Sequence, residues 1–349
     1  MSLPSIDEDY LKSTLTELLD TPSPTGFAQW AIRYVDDSLR DLGVAAVLTR
    51  KGALTATLAG REATAPRALT GHVDTLGAMV KEIKANGRLK LTKIGGFAWN
   101  TVEGEGCRIF TQSGGVIHGS LLLTQASTHV YGQAVSATPR DDANMEVRLD
   151  GRTSSPAETW ALGIEVGDFV AFDPRVVVSD SGFIRSRHLD DKAGVAAILT
   201  AAKALQDAGL TPARRTFLHF SNYEEVGHGA AAGFPPDLAE LVAVDMAAVG
   251  EGQTSDEFHV SICVKDSGGP YHHGLSNRLR ALADQHQIPY KVDIYPYYGS
   301  DGEAFWRAGG DVKVALIGPG VDASHNYERT HMEALIGATQ LILAYLLAD

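Results

Sequence analysis

The chain reads as an α/β protein interrupted by an inserted β domain, and three observations in the 349 residues lead there. Apolar runs of strand length alternate with helix-period stretches at both ends of the chain, the pattern of an α/β layer architecture. Between roughly residues 79 and 175 this gives way to short alternating runs broken by glycine, which resemble a small β barrel or sandwich. After residue 176 the helix and strand alternation resumes, so the expected division is 1–78 and 176–349 for one α/β domain and 79–175 for the insert.

From the amino end, Leu11, Leu15, Leu18 and Leu19 recur at helical spacing, and the run from Thr21 to Gly26 ends that helix. A second helix carries Trp30, Ile32, Val35, Leu39 and Leu42 and closes at Gly43, after which 44–49 and 54–58 read as strands. The next strand, 68–74, places His72 and Asp74 two residues apart, on the same side of an extended chain. In the insert the strand-like runs are 89–94, 108–111, 116–124, 144–149 and 168–172.

Beyond the insert, Asp190 and Asp191 open a clear helix with Val195, Ile198, Leu199, Ala202 and Leu205 on its apolar face. One Asp at that place is an ordinary cap, but two exceed what a cap requires. The apolar run 217–220 is followed by the adjacent acids Glu224 and Glu225, and 241–244 ends in Asp245. Adjacent carboxylates repel, so a cation is expected beside them. A strand over 312–317 precedes His325, and a helix from about 333 to 348 ends the chain. Single acids after strands are usually turn residues. Here His72, the Glu pair, Asp245 and His325 all follow strands, and such positions converge on one crevice in an open α/β sheet.

Composition narrows the function. Lys and Arg total 30 against 43 Asp and Glu, giving a formal charge of −13 that disfavours nucleic acid. No apolar run offers a membrane span, and the amino end lacks a basic start and an apolar h-region. A cytoplasmic protein is the expectation. Cys107 and Cys263 are too far apart for a close metal or redox pair and read as buried thiols.

The segments Gly71 to Gly77, Leu189 to Gly194, Glu224 to Gly227 and Val244-Asp245 resemble, in type, order and spacing, the M42 metallo-aminopeptidases, and the insert falls where that family has its own. The resemblance spans nearly the whole chain. It implies an α/β/α, phosphorylase/hydrolase-like zinc-peptidase domain and two divalent ions, zinc or cobalt, which suit imidazole and carboxylate ligands. By the same resemblance His72 and Asp245 hold one ion, Glu225 and His325 the other, and Asp190 bridges them through a residue followed by a cis peptide bond. Asp74 would orient His72, and Glu224 would be the general base. The ending Ser324 to His331 departs from the family pattern and leaves His325 and His331 as candidates, with His325 preferred because it directly follows the strand loop. Lys192 stands where the family has Arg. The segments Ser324 to His331 and Ser186 to Lys192 are most similar to an M42 subgroup associated in bacteria with synthesis of the osmoprotectant N-acetylglutaminylglutamine amide. Asp301, in a loop near the family's site, either caps a helix or meets a substrate amine. The resemblance implies a small peptide substrate and a homo-oligomer, from dimer to dodecamer. A deacylase using the same metals and a non-catalytic assembly protein are the other readings.

Overall fold

The computed structural model describes residues 2–349, in two compact units. The first comprises the residues up to Asp74 and from Arg175 onward, the second Thr75–Pro174.

The first unit is built on a mixed sheet of 13 strands. At its centre Arg214–Ser221, Glu62–His72, Glu240–Val244 and Lys313–Asp322 lie side by side and parallel. All five residues of Glu240–Val244 are buried. That is why these strands read as unbroken apolar runs: a parallel strand covered on both faces has no polar side to show. Leu54–Leu58 pairs antiparallel with Arg214–Ser221, and Ala46–Leu48 completes that edge.

The helix that begins Leu189-Asp190-Asp191 runs to Asp207 and is buried almost all round, packed against the Glu8–Asp20 and Met332–Leu347 helices. Its main chain is non-helical at Asp190 and Asp191, so regular helix starts beyond the acid pair. The early helices Glu8–Asp20 and Gln29–Asp41 follow the expected periodicity, and Asp7 caps the first by accepting from Tyr10 N at 2.9 Å.

Register brings the site residues together. Ser221 pairs with His72 and Ala243 with Thr70, so three neighbouring strands end at nearly one level. Just past those ends come His72–Asp74, Glu224–Glu225 and Asp245.

The second unit is a closed six-stranded antiparallel barrel of Gly77–Ile83, Leu89–Ile94, Met145–Leu149, Val116–Leu123, Gly106–Phe110 and Phe169–Phe172. Its interior holds Val80, Leu89, Leu91, Ile109, Leu121, Val147 and Val170. The strand Gly77–Ile83 was not expected from the sequence. It pairs with Leu89–Ile94 on one side and Phe169–Phe172 on the other, which closes the barrel and accounts for the unit beginning at Thr75. Cys107 and Cys263 are both buried and free. Among the described residues no helix is long and apolar enough to cross a membrane.

Candidate metal centre

His72 ends its strand 1% exposed, and its ring is locked from behind. Nδ1 donates to the carbonyl oxygen of Asp74 at 2.8 Å, which leaves Nε2 as the atom facing the cleft. There Nε2 lies 3.1 Å from Asp190 Oδ1, 3.7 Å from Glu224 Oε2 and 4.0 Å from Asp245 Oδ2. The other oxygen of Asp190, Oδ2, is 3.2 Å from His325 Nε2, which in turn is 3.6 Å from Glu225 Oε2. Asp190 therefore lies between two imidazoles. The peptide bond from Asp190 to Asp191 is cis.

Two groups of ligand atoms result, His72 with Asp190 and Asp245, and Asp190 with Glu225 and His325, each gathered within 4.8 Å. Imidazole and carboxylate together form a donor set that fits a borderline divalent ion such as zinc or cobalt. The electrostatics agree with that fit. Burial and the neighbouring Asp190 charge push Glu225 and Asp245 each up to about 8. Burial also raises Glu224 well above the usual carboxylate range, opposed by His72 and reinforced by Asp245, Asp301 and Glu225. For His72 burial opposes the charge, yet Asp190, Glu224, Asp245 and Asp74 outweigh it and raise its pKa. So many acids crowded out of water are the signature of a site made for positive charge.

A short 3₁₀ turn, Glu224–Val226, carries both glutamates. Tyr223 at φ 79° and Gly227 at φ 87° bracket it, and these left-handed residues turn the chain sharply past the strand end. The Asp74 carboxylate holds this turn, accepting from Glu224 N at 3.2 Å and Glu225 N at 3.3 Å, and from Thr25 Oγ1 at 2.6 Å. Its closer tie to His72 is through its main-chain oxygen, with Oδ1 3.7 Å from Nδ1. The sequence reading has Asp74 orient His72 through its other ring nitrogen, and the atom of Asp74 that meets Nδ1 is the main-chain oxygen. In the structure its carboxylate mainly anchors the glutamate turn.

His331 lies elsewhere. It caps the last helix, with Nδ1 accepting from Glu333 N at 3.2 Å and Nε2 bonded to Ser181 O at 2.8 Å. Asp301 is neither cap nor free acid. Its carboxylate is buried, accepts from Thr70 Oγ1 at 3.0 Å, from Ala230 N at 2.7 Å and from Ser221 Oγ, and so ties two central strands to the loop after the glutamate turn. Asp191 accepts from His72 N at 3.3 Å and Gly194 N at 3.1 Å.

Glu328 escaped the sequence reading. It is 1% exposed and receives Asp190 N at 3.2 Å on Oε2 and His325 N at 3.0 Å on Oε1, gripping the backbone of two candidate ligands at once. Its position three residues after His325 was the available signal.

Residues 52–341 match the family model described as M42 glutamyl aminopeptidase. The chain belongs to the M42 peptidase family. Like other members of that family, it is a peptidase of the aminopeptidase kind. This M42 chain is 50% identical over 331 residues, 95% of each chain, to a Bacillus subtilis (strain 168) protein that carries the provisional name aminopeptidase YhfE. It is 28% identical to the glutamyl aminopeptidase of Lactococcus lactis subsp. cremoris (strain MG1363), over 90% of this chain and 88% of that one. The fold is shared with a TET aminopeptidase from the archaeon Thaumarchaeota archaeon SCGC AB-539-E09, at a TM-score of 0.87 and 17% identity, over 97% of this chain and 96% of that one. Pyrococcus horikoshii TET1 peptidase, described as assembling into a tetrahedron or a large octahedral shell, superposes with a TM-score of 0.85 at 21% identity, over 97% of this chain and all of that one.

Proposed function

We propose that this chain is a dinuclear metal-dependent aminopeptidase that removes the amino-terminal residue of short peptides. His72 and Asp245 would hold one divalent ion, Glu225 and His325 the other, and Asp190 both. When bound, such a pair brings the pKa of water towards neutrality and polarises the carbonyl of the scissile bond.

The observation that carries the reading is Glu224. It points into the cleft 3.7 Å from His72 Nε2 yet belongs to neither group of ligand atoms. As general base its carboxylate takes a proton from the attacking water while the water oxygen bonds to the carbonyl carbon. The same proton then passes to the amide nitrogen as the C–N bond breaks, so the carboxylate is regenerated and an amine leaves. Asp74 keeps Glu224 in place through the backbone of the turn, and His72, with Nδ1–H committed to the Asp74 carbonyl, presents Nε2 as an acceptor. The family match and the TET neighbours support two further parts of this proposal: the substrates are small peptides, and the protein assembles into closed homo-oligomers.

Hydrolysis of aminoacyl p-nitroanilides after chelation and re-addition of zinc or cobalt tests the reading. Activity should vanish on chelation and return with either metal. Release of N-acyl groups from acylated amino acids, with the anilides inert, would instead show a deacylase.

A further inference from the structure

A second pocket, of about 550 Å³, lies in the α/β unit behind the glutamate turn. Its walls are formed by the start of the Gln29–Asp41 helix, the turn joining strands Ala46–Leu48 and Leu54–Leu58, and Asn222 with Tyr223. Ile32, Leu48 and Leu54 supply apolar surface, and three cations, Arg33, Arg50 and Lys51, line the rest. Arg33 and Arg50 are exposed, and the Asp301 and Asp74 charges act on Lys51 from the side of the metal centre. Lys51 donates to the carbonyls of His228 and Gly229, the latter at 2.9 Å. The one acid on the lining, Asp36, is paired with Arg40. A chain with 13 more acids than bases thus gathers three cations and a single acid around one hollow.

The pocket adjoins the metal centre through the chain itself. Tyr223 lines it, and Glu224, one residue and about 3.8 Å of Cα distance further on, faces His72. Asn222 Oδ1 accepts from Gly26 N at 3.4 Å, and the neighbouring Thr25 bonds to Asp74. A carboxylate that a peptide brings along needs a cationic partner on the protein. A few residues from Glu224 the cationic hollow offers that charge, with apolar wall for the side chains between.

We infer that this pocket is a substrate subsite that binds a carboxylate of the peptide, with Arg33 and Arg50 as its recognition groups and Lys51 beside them. The inference rests on the aminopeptidase reading for which peptide enters, and its test does not need turnover. The carboxylate is either the peptide's own carboxyl terminus or an acidic side chain near it.

Calorimetric binding to metal-loaded E224Q protein separates these cases, using Ala-Ala-Ala, its carboxyl-terminal amide, and Ala-Ala-Glu amide. Ala-Ala-Ala should bind about tenfold more tightly than its amide, a ratio in keeping with two partly exposed charge contacts. In E224Q protein also carrying R33Q and R50Q the ratio should fall to about one, while R33K with R50K should retain most of it. Recovery of tight binding by Ala-Ala-Glu amide shows that a side-chain carboxylate serves as well. Equal binding of acid and amide in the parent, or a ratio unmoved by R33Q with R50Q, overturns the subsite. Selective binding without any hydrolysis by protein retaining Glu224 would leave the subsite standing and overturn the peptidase reading instead.

Discussion

At the scale of the residue, the centre depends on acids that hold other acids by their backbones. Glu328 does this most directly, since its two oxygens receive the main-chain N–H groups of Asp190 and His325. Burial and the nearby Asp190 charge push Glu328 up to about 8, so it too belongs to the crowded acidic field. Groups that orient metal ligands typically matter 10- to 100-fold in affinity. Glu328→Ala should therefore weaken metal binding by about that factor while the chain still folds, as read by competition with a chromophoric chelator. Wild-type affinity would show that the two backbone bonds are incidental. Residues of this sort were the least legible in the sequence. His72, Glu225 and Asp245 announce themselves by type and by position after strands, and Asp190 as one of two acids at a helix start. Glu328 bonds to the backbone of its partners, one of them 138 residues away, and only its place three residues after His325 hints at this. Choosing His325 over His331 had a local reason, the strand loop. The cap that His331 forms could be seen only once the helix start was fixed at Met332.

At the scale of the element, the helix that carries the acid pair can approach the sheet because its first turn contains Gly194. A Cβ there would sit 2.4 Å from Asp191 Oδ1 and 2.5 Å from Val244 O, both closer than side-chain carbons tolerate. Gly194→Ala should destabilise the protein by about 1–3 kcal/mol, as overpacked cores do, and should lower activity as well by displacing the Asp190–Asp191 corner. A denaturant midpoint equal to that of the parent would contradict this packing. The helix itself was easy to read, since its apolar face repeats at helical spacing. The barrel was harder. Gly77–Ile83 follows within a few residues of the His72 strand, and the turn between them is too short to read as a boundary, so the sequence merges the end of one unit with the start of the next.

At the scale of the whole molecule, acid should unfold this protein partly through a histidine remote from the metal centre. His219 is 0% exposed, with Nδ1 bonded to Thr55 Oγ1 at 2.9 Å and its ring packed on Phe234. Burial, aided by the Lys51 charge, pushes it down to about 3. The folded protein thus keeps it neutral while the unfolded chain, with an ordinary pKa near 6.5, takes up a proton. Stability from this group is full above about pH 6.5 and is lost as the pH falls towards 3. Comparing unfolding free energies of the parent and His219→Gln between pH 7 and 4.5 should show a difference in slope of about one proton. Parallel curves would place the acid sensitivity elsewhere. The α/β class with an inserted β unit was visible in the sequence because buried parallel strands and glycine-broken β runs have different textures. The order of strands was not, since Arg214–Ser221 and Glu62–His72 are neighbours separated by the entire barrel in sequence.

In the proposed mechanism two consecutive residues divide the labour, Glu225 as metal ligand and Glu224 as base. Metal content and turnover of Glu224→Gln, measured on the same preparation with an aminoacyl p-nitroanilide, test it most directly. The variant should keep two divalent ions per chain and lose activity by a factor of about 10² to 10⁴. Turnover equal to that of the parent with both ions in place would contradict the assignment.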